Sequence, residues 1–300
     1  MKKKPSSLKR SNRMTLSTAL FLAPFFLSFI LFTVVPVLCA VFLSFTDFNM
    51  VTMPKLVGFD NYIRMFLEDD IFGTVVKNTV VFAVLTGPVS YFLALILAWL
   101  INEMNRVLRV IMTAVFYLPS TLVSAITIFT YIFSGDAYGL FNNLLMRLGI
   151  IQEPVLWLTD PAYNVTIVII VQLWLSLGVG FLSFVAGLQT IDTSVYESGY
   201  IDGIHNRFQE LYYLTLPSMK PQLMFGAIMQ ITTAFSVSAV PVALTGHPST
   251  NNSTTTILTH LGDMANTRME FGYACAIAVM LFVVMLLTRN VVSLIIKTDE

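Results

Sequence analysis

Charge is what this chain has least of. Only 11% of its 300 residues are Asp, Glu, Lys or Arg, against 56% hydrophobic. Soluble domains carry about 25% charged residues, so a water-soluble globule is excluded and a polytopic membrane protein is expected. Cysteine is scarce too. Cys39 and Cys275 each fall inside an apolar run, where they read as small packing residues and offer no disulfide framework. No Gly-Lys dipeptide occurs, which rules out a Walker A loop to hold nucleotide phosphates. His205, His247 and His260 lie at no metal-ligand spacing and read as ordinary loop polarity. No nucleophile elbow stands out, and neither an internal repeat nor a low-complexity linker is found. The chain is therefore expected to have no catalytic residues and to bind no metal or cofactor itself.

What is there is a series of long uncharged runs. Arg13 and Asp47 bracket 33 uncharged residues, Lys77 and Glu103 bracket 25, and Arg109 and Asp136 bracket 26. Asp160 and Asp192 bracket 31, no Asp, Glu, Lys or Arg separates Lys220 from Asp263, and Glu270 and Arg289 enclose 18. A helix rising about 1.5 Å per residue needs roughly 20 apolar residues to cross the hydrocarbon. Lipid gives the backbone no hydrogen-bond partners, and barrel strands would alternate in polarity. Six transmembrane helices follow, in an all-α fold. They are expected near 15–46, 75–101, 110–134, 163–188, 222–244 and 271–296, with Pro24 and Pro36 kinking the first. Residues 1–13 form a basic tail and 14–300 a single transmembrane domain. The first run is too long for a signal-peptide core, lacks a small-residue cleavage pattern after it, and reads as an anchor.

The net charge of zero hides an asymmetry. Six spans put both termini on one face, and twelve of the seventeen Lys and Arg residues fall there. Ten of the seventeen acids fall on the other. By the positive-inside rule the basic face and both termini are cytoplasmic. On the acidic face, "VGFDNYIRMF" suggests a short interfacial helix. Another should contain Leu144, Leu145 and Leu148 at helical spacing. The loop "TGHPSTNNSTTT" should resist regular structure. The N-x-S/T triplets at Asn164, Asn251 and Asn252 read as chance matches. On the basic face, "NEMNRVLR" reads as a plain connector.

The segment between the fourth and fifth spans, about 189–221, is different. In "YESGYIDGIHNRFQELYYLTLPSMKP", Ser194-Val195-Tyr196-Glu197 has capping-box form, so a helix is expected to begin at Ser194. Gly203 sits where the chain needs a left-handed or sharp turn. Phe208, Leu211 and Tyr212 then repeat at helical spacing until Pro217, which should stop the second helix. Glu197, Asp202, Arg207 and Glu210 surround the elbow. These residues alone fit either a solvated connector or a rigid lever.

Glu197, Asp202-Gly203, Phe208, Leu216-Pro217 and Pro221 together resemble the EAA loop of binding-protein-dependent ABC importer permeases. Ser198 and Gly199 replace that pattern's two alanines, and Leu214 its usual isoleucine. Similarity to the maltose-type carbohydrate permease subfamily runs from about residue 16 to 296, through "VGFDNYIRMF", "YGLFNNLLMRLGI", "FLSFVAGLQTID" and "ALTGHP". The resemblance implies a type I importer membrane domain in a bacterial cytoplasmic membrane. Its implied partners are a second homologous permease, two ATPase subunits carrying ATP and Mg, and an external sugar-binding protein. Lipid surrounds it, and no nucleic acid is among the partners. It also implies that Glu197, Asp202, Gly203, Arg207, Phe208 and Pro217 couple the chain to the ATPases.

Intramembrane polar residues often line a pathway. Gln172, Trp174 and Ser176 in span 4 and Gln230, Thr233, Ser236 and Ser238 in span 5 are candidates. Two amides and an aromatic face would suit a sugar, but Ser, Thr and Gln also join helices to one another. No charge sits in mid-span, which favours a neutral solute. A carbohydrate, specifically an oligosaccharide, is the main reading. Alternatives are a polyol or glycerol phosphodiester carried the same way, or an ion-coupled secondary transporter.

Overall fold

The computed structural model describes residues 16–122 and 125–296, so the expected tail at 1–13 lies outside the described residues. The helices run α1 (Leu16–Phe29), α2 (Val35–Leu43), α3 (Asp60–Leu67), α4 (Phe72–Asn102), α5 (Arg106–Thr121), α6 (Ala125–Ile132), α7 (Leu140–Arg147) and α8 (Pro161–Leu175). They continue with α9 (Val179–Gln189), α10 (Thr193–Ile201), α11 (Arg207–Glu210), α12 (Leu216–Ser218), α13 (Lys220–Phe235), α14 (Ala239–Thr245), α15 (Ile257–Gly262) and α16 (Phe271–Ile296). The described residues contain no β-strand; one antiparallel bridge pairs Thr46 with Leu56.

Among the described residues, five segments are long and apolar enough to cross a membrane: 20–43, 72–102, 161–189, 220–245 and 271–294. The sixth expected span is two half-helices, α5 and α6, meeting at 81°. Spans 4 and 5 are also interrupted, by Ser176–Leu177–Gly178 and by Ser236–Val237–Ser238. The sequence reading drew all three as continuous. Non-helical backbone at membrane depth persists only where protein covers it or a cavity solvates it, so the breaks in spans 4 and 5 must be covered by neighbouring helices or line a cavity.

Pro36 and Pro217 are accommodated by changes in the helical turns before them. The helix passes through Pro24, and the departure near Pro36 is a wide π-turn over Ile30–Val34 just upstream. Pro217, expected to stop the second helix of the elbow, does not. A second π-turn over Leu211–Thr215 precedes α12, and the axis breaks only at Met219. A proline ring clashes with the carbonyl four residues back. Widening the preceding turn moves that carbonyl aside.

Three apolar clusters hold the spans. At the basic end Ala94, Ala98 and Ile101 of α4 pack on Phe181, Phe184 and Leu188 of α9 and on Leu223 of α13. In the middle Phe82 meets Val168, Val171, Val240 and Leu244. At the acidic end Met65, Phe72 and Val75 meet Ile257, Tyr273 and Ile277. The small residues on α4 are what bring its backbone close to its neighbours.

The acidic face is better ordered than its composition suggests. The interfacial helices exist as expected, as α3 and α7. Asn142 of α7 is fully buried; its amide donates to Val155 O at 3.0 Å, while its Oδ1 accepts from Trp157 Nε1 at 2.7 Å. The loop expected to resist structure is pinned instead. Asn78 Nδ2 donates to Asn252 O and Thr255 O at 2.8 and 3.0 Å, and Ile257 N donates to Thr79 Oγ1 at 2.8 Å. Asn164 is buried against Ser253 at 2.8 Å, in keeping with a chance triplet. His260 is not loop polarity: it is 1% exposed and lies 2.8 Å from Asp69 Oδ2.

Candidate functional site

The elbow is built by caps. Asp192, rather than the expected Ser194, caps α10, its carboxylate accepting from Ser194 N at 2.9 Å. Hydrogen bonds from Ser194 hold that carboxyl below the usual carboxylate range. At the other end Gly203 N donates to Tyr200 O at 3.2 Å and Ile204 N to Gly199 O at 2.9 Å. Those are the two bonds of a Schellman motif, which needs a left-handed residue after the cap. Gly203 supplies it with φ +89°. No atom lies within 4 Å of where its Cβ would be, so glycine is required here by conformation and not by space. Asp202 is the C-cap residue itself.

The chain then restarts at Asn206, which accepts from Phe208 N at 3.0 Å. Arg207 Nη2 reaches Glu103 Oε2 at 2.9 Å, and Nη1 lies 3.2 Å from Glu210 Oε2. The Phe208 ring sits 5.7 Å from Trp99 of α4. Glu103, Glu197, Arg207 and Glu210 line one cavity of about 550 Å³ with Tyr196 and Trp99. Glu197 itself is exposed and makes no ion pair among the described residues. Around the turn Tyr200, Ile201, Phe208, Tyr212 and Tyr213 are all exposed. Large exposed apolar groups on a polar segment mark a contact surface.

The departures from the EAA pattern are physically linked. A Cβ on Gly199 would stand 2.5 Å from Leu214 Cδ1. Glycine at 199 makes room for leucine at 214, and Pro217 lies three residues further on, beyond the π-turn.

The interior site lies at the helix breaks. Two cavities of about 380 and 330 Å³ open there and share Ser120, Leu175 and Thr233. Gln172, Ser236 and Ser238 line the larger; Ser176, Gln230 and Tyr117 line the smaller. No Asp, Glu, Lys or Arg lines either among the described residues. Gln230 is buried and tied at both ends of its amide. Its Nε2 donates to Ser176 O at 3.3 Å, and its Oε1 accepts from Ser90 at 3.0 Å. It joins three helices. Gln172 is buried with no hydrogen bond among the described residues, which leaves its amide available to a solute. Trp174 lines neither cavity; its ring packs on Phe129 with centroids 5.1 Å apart. The expected amide–tryptophan–amide set is therefore not assembled.

Sequence reasoning missed Ser90, Ser120 and Glu103, and all three breaks. Signals for the breaks exist, in "SLGVG" within span 4 and in "SVSAVP" within span 5.

Interrupted spans enclosing uncharged cavities, with a capped elbow between spans 4 and 5, fit a multi-pass permease core. The comparisons agree: residues 90–297 match the family described as "Binding-protein-dependent transport system inner membrane component", and the chain belongs to it. It is 32% identical over 291 residues to the "Probable ABC transporter permease protein YesP" of Bacillus subtilis (strain 168), covering 95% of this chain and 91% of that one. It is 33% identical over 264 residues to the "Lactose transport system permease protein LacF" of Rhizobium radiobacter, covering 86% and 87%. A bacterial ABC transporter involved in importing the acidic polysaccharide alginate shares the fold. The match has a TM-score of 0.75 at 24% identity and covers 93% of this chain and 95% of that one.

Proposed function

We propose that the chain is the permease subunit of an ATP-driven importer that passes a carbohydrate, most naturally an oligosaccharide, inward by alternating access. Two ATPase subunits with ATP and Mg grip the elbow from the basic, cytoplasmic face. A second permease completes the pathway, and an external binding protein delivers the sugar. Drawing the ATPases together moves the elbow, and spans 4 and 5, continuous with it, rock about their breaks. Glu197, open to the cavity beside the elbow, takes a basic group of the ATPase. Gln172 contacts the solute, while Gln230 holds the helices that frame it.

The observation that carries this reading is the Schellman elbow at Gly203, rigid, ringed by exposed aromatics and set between two broken spans. The uncharged cavity linings support a neutral cargo, and the lactose permease among the relatives supports a sugar. The test is Gly203→Val in the reconstituted complex, with uptake read from radiolabelled lactose and a panel of neutral oligosaccharides. Uptake and coupled ATP hydrolysis should be lost, while the binding protein's own sugar affinity stays unchanged. Normal uptake would end the proposal.

A further inference from the structure

The elbow is fastened to the body of the protein twice. One attachment is the chain itself, through α9 and α13. The other is lateral and joins it to α4. Arg207 pairs with Glu103 at 2.9 Å, and one turn before Glu103 on α4, Trp99 packs against Phe208 at 5.7 Å. Residues four apart share one helix face, so Trp99 and Glu103 present a single apolar and charged surface to α11. Glu103 is not on a loose connector. Arg109 Nη2 donates to Asn102 O and Met104 O at 2.7 and 3.1 Å, and so clamps the carbonyl end of α4 around it. Asn105 caps the next helix by accepting from Leu108 N at 2.9 Å.

The target of that attachment matters. Spans 4 and 5 are each interrupted, whereas α4 runs unbroken for 31 residues. At its inner half it carries Ser90, which bonds Gln230. At its far end lies Asp69, three residues before Phe72, bonded to Tyr273 of α16 at 2.6 Å and beside His260 at 2.8 Å. A displacement entering α4 at Glu103 therefore reaches both the cavity wall and the acidic face without crossing a break.

We infer that Glu103 is a positioning residue: with Trp99 it locks the elbow to α4, so that the elbow and span 2 move as one body. The pair is half open to water, and exposed ion pairs add little stability. Its role is to fix geometry. The inference rests on the proposed coupling role of the elbow.

The test uses the assembled transporter in proteoliposomes, with Cys39 and Cys275 replaced by Ala. A reporter cysteine, Ser236→Cys, is read by a membrane-impermeant maleimide applied from outside, with and without ATP and vanadate. Glu103→Arg and Arg207→Glu should each lose most of the nucleotide-dependent change in labelling, and the charge-swapped double variant should recover at least half of it. In a second arm without the reporter, Glu103→Cys with Arg207→Cys should depress ATP hydrolysis by the complex. Joining the two with a short bifunctional maleimide should restore it, because the tie replaces the ion pair. A loss through misfolding would not be repaired by either manoeuvre. Full response in the single variants, no recovery in the swap, or a block by the cross-link would overturn the inference. Gly203→Val separates the two readings. If it too leaves the response intact, the coupling role of the elbow fails. If it abolishes the response while Glu103→Arg does not, only the lock fails.

Discussion

The two ends of the molecule use charge in opposite ways. On the acidic face Asp69 is sunk among its partners, its side chain 10% exposed, with His260 at 1%. Tyr273 donates to it at 2.6 Å, and Arg64 lies over the Tyr273 ring at 4.4 Å while pairing with Glu270 at 2.7 Å. On the basic face Arg207 and Glu103 are 61% and 43% exposed, and Glu197 stands open beside them. The buried hydrogen-bonded set of Asp69, His260 and Tyr273 makes the acidic end of the bundle a fixed frame. Open charges at the other end add little stability and fix geometry instead.

That contrast can be broken experimentally. The largest stability effect should come from Asp69→Ala, which leaves His260 and Tyr273 without their shared acceptor. Removing one partner of a buried pair costs about 3–5 kcal/mol, measurable as a fall in unfolding temperature in detergent. Glu103→Gln should cost less than about 1 kcal/mol on the same scale. Equal losses would mean that the two ends do not differ as described.

Acidity separates them further. Burial alone would raise the Asp69 carboxyl, but hydrogen bonds from Tyr273 and His260, with the charge interaction of His260, outweigh it and hold the group below its usual range. A carboxylate depressed in the folded state stabilises above its unfolded value, near 3.9, and loses that contribution as pH falls through the lowered one. Stability should therefore begin to drop below about pH 4. Asp69→Asn should flatten that part of the profile, and an unchanged slope would reject the assignment.

The smallest expected effect lies at the elbow. Gly199→Ala gains up to about 1 kcal/mol of helix propensity but meets Leu214, so it should be near neutral or mildly destabilising. Leu214→Ala should release the propensity gain, and the two changes should be non-additive by about 1 kcal/mol. Additive values would mean that Gly199 and Leu214 do not share space.

How much of this was legible follows from range. Span number, α3, α7 and the turn at Gly203 were readable because composition and local conformation dictate them. The breaks were not, because three residues such as Ser176–Leu177–Gly178 barely change the hydropathy of a long run. The α10 cap was misread because Asp192 and Ser194 are both good capping residues, and only geometry chooses between them. His260 was misread because its partner, Asp69, is 191 residues away. Glu103 looked like a connector charge until the fold laid it against Arg207.

The π-turn at Leu211–Thr215 has one more consequence. It adds a residue to one coil, and each residue advances a regular helix by about 100°. Removing a single residue from this stretch would tighten the coil and swing everything before it, Arg207 and Phe208 included, by more than a quarter revolution around the axis of span 5. A one-codon deletion here should re-aim Arg207 and Phe208 while sparing every membrane crossing.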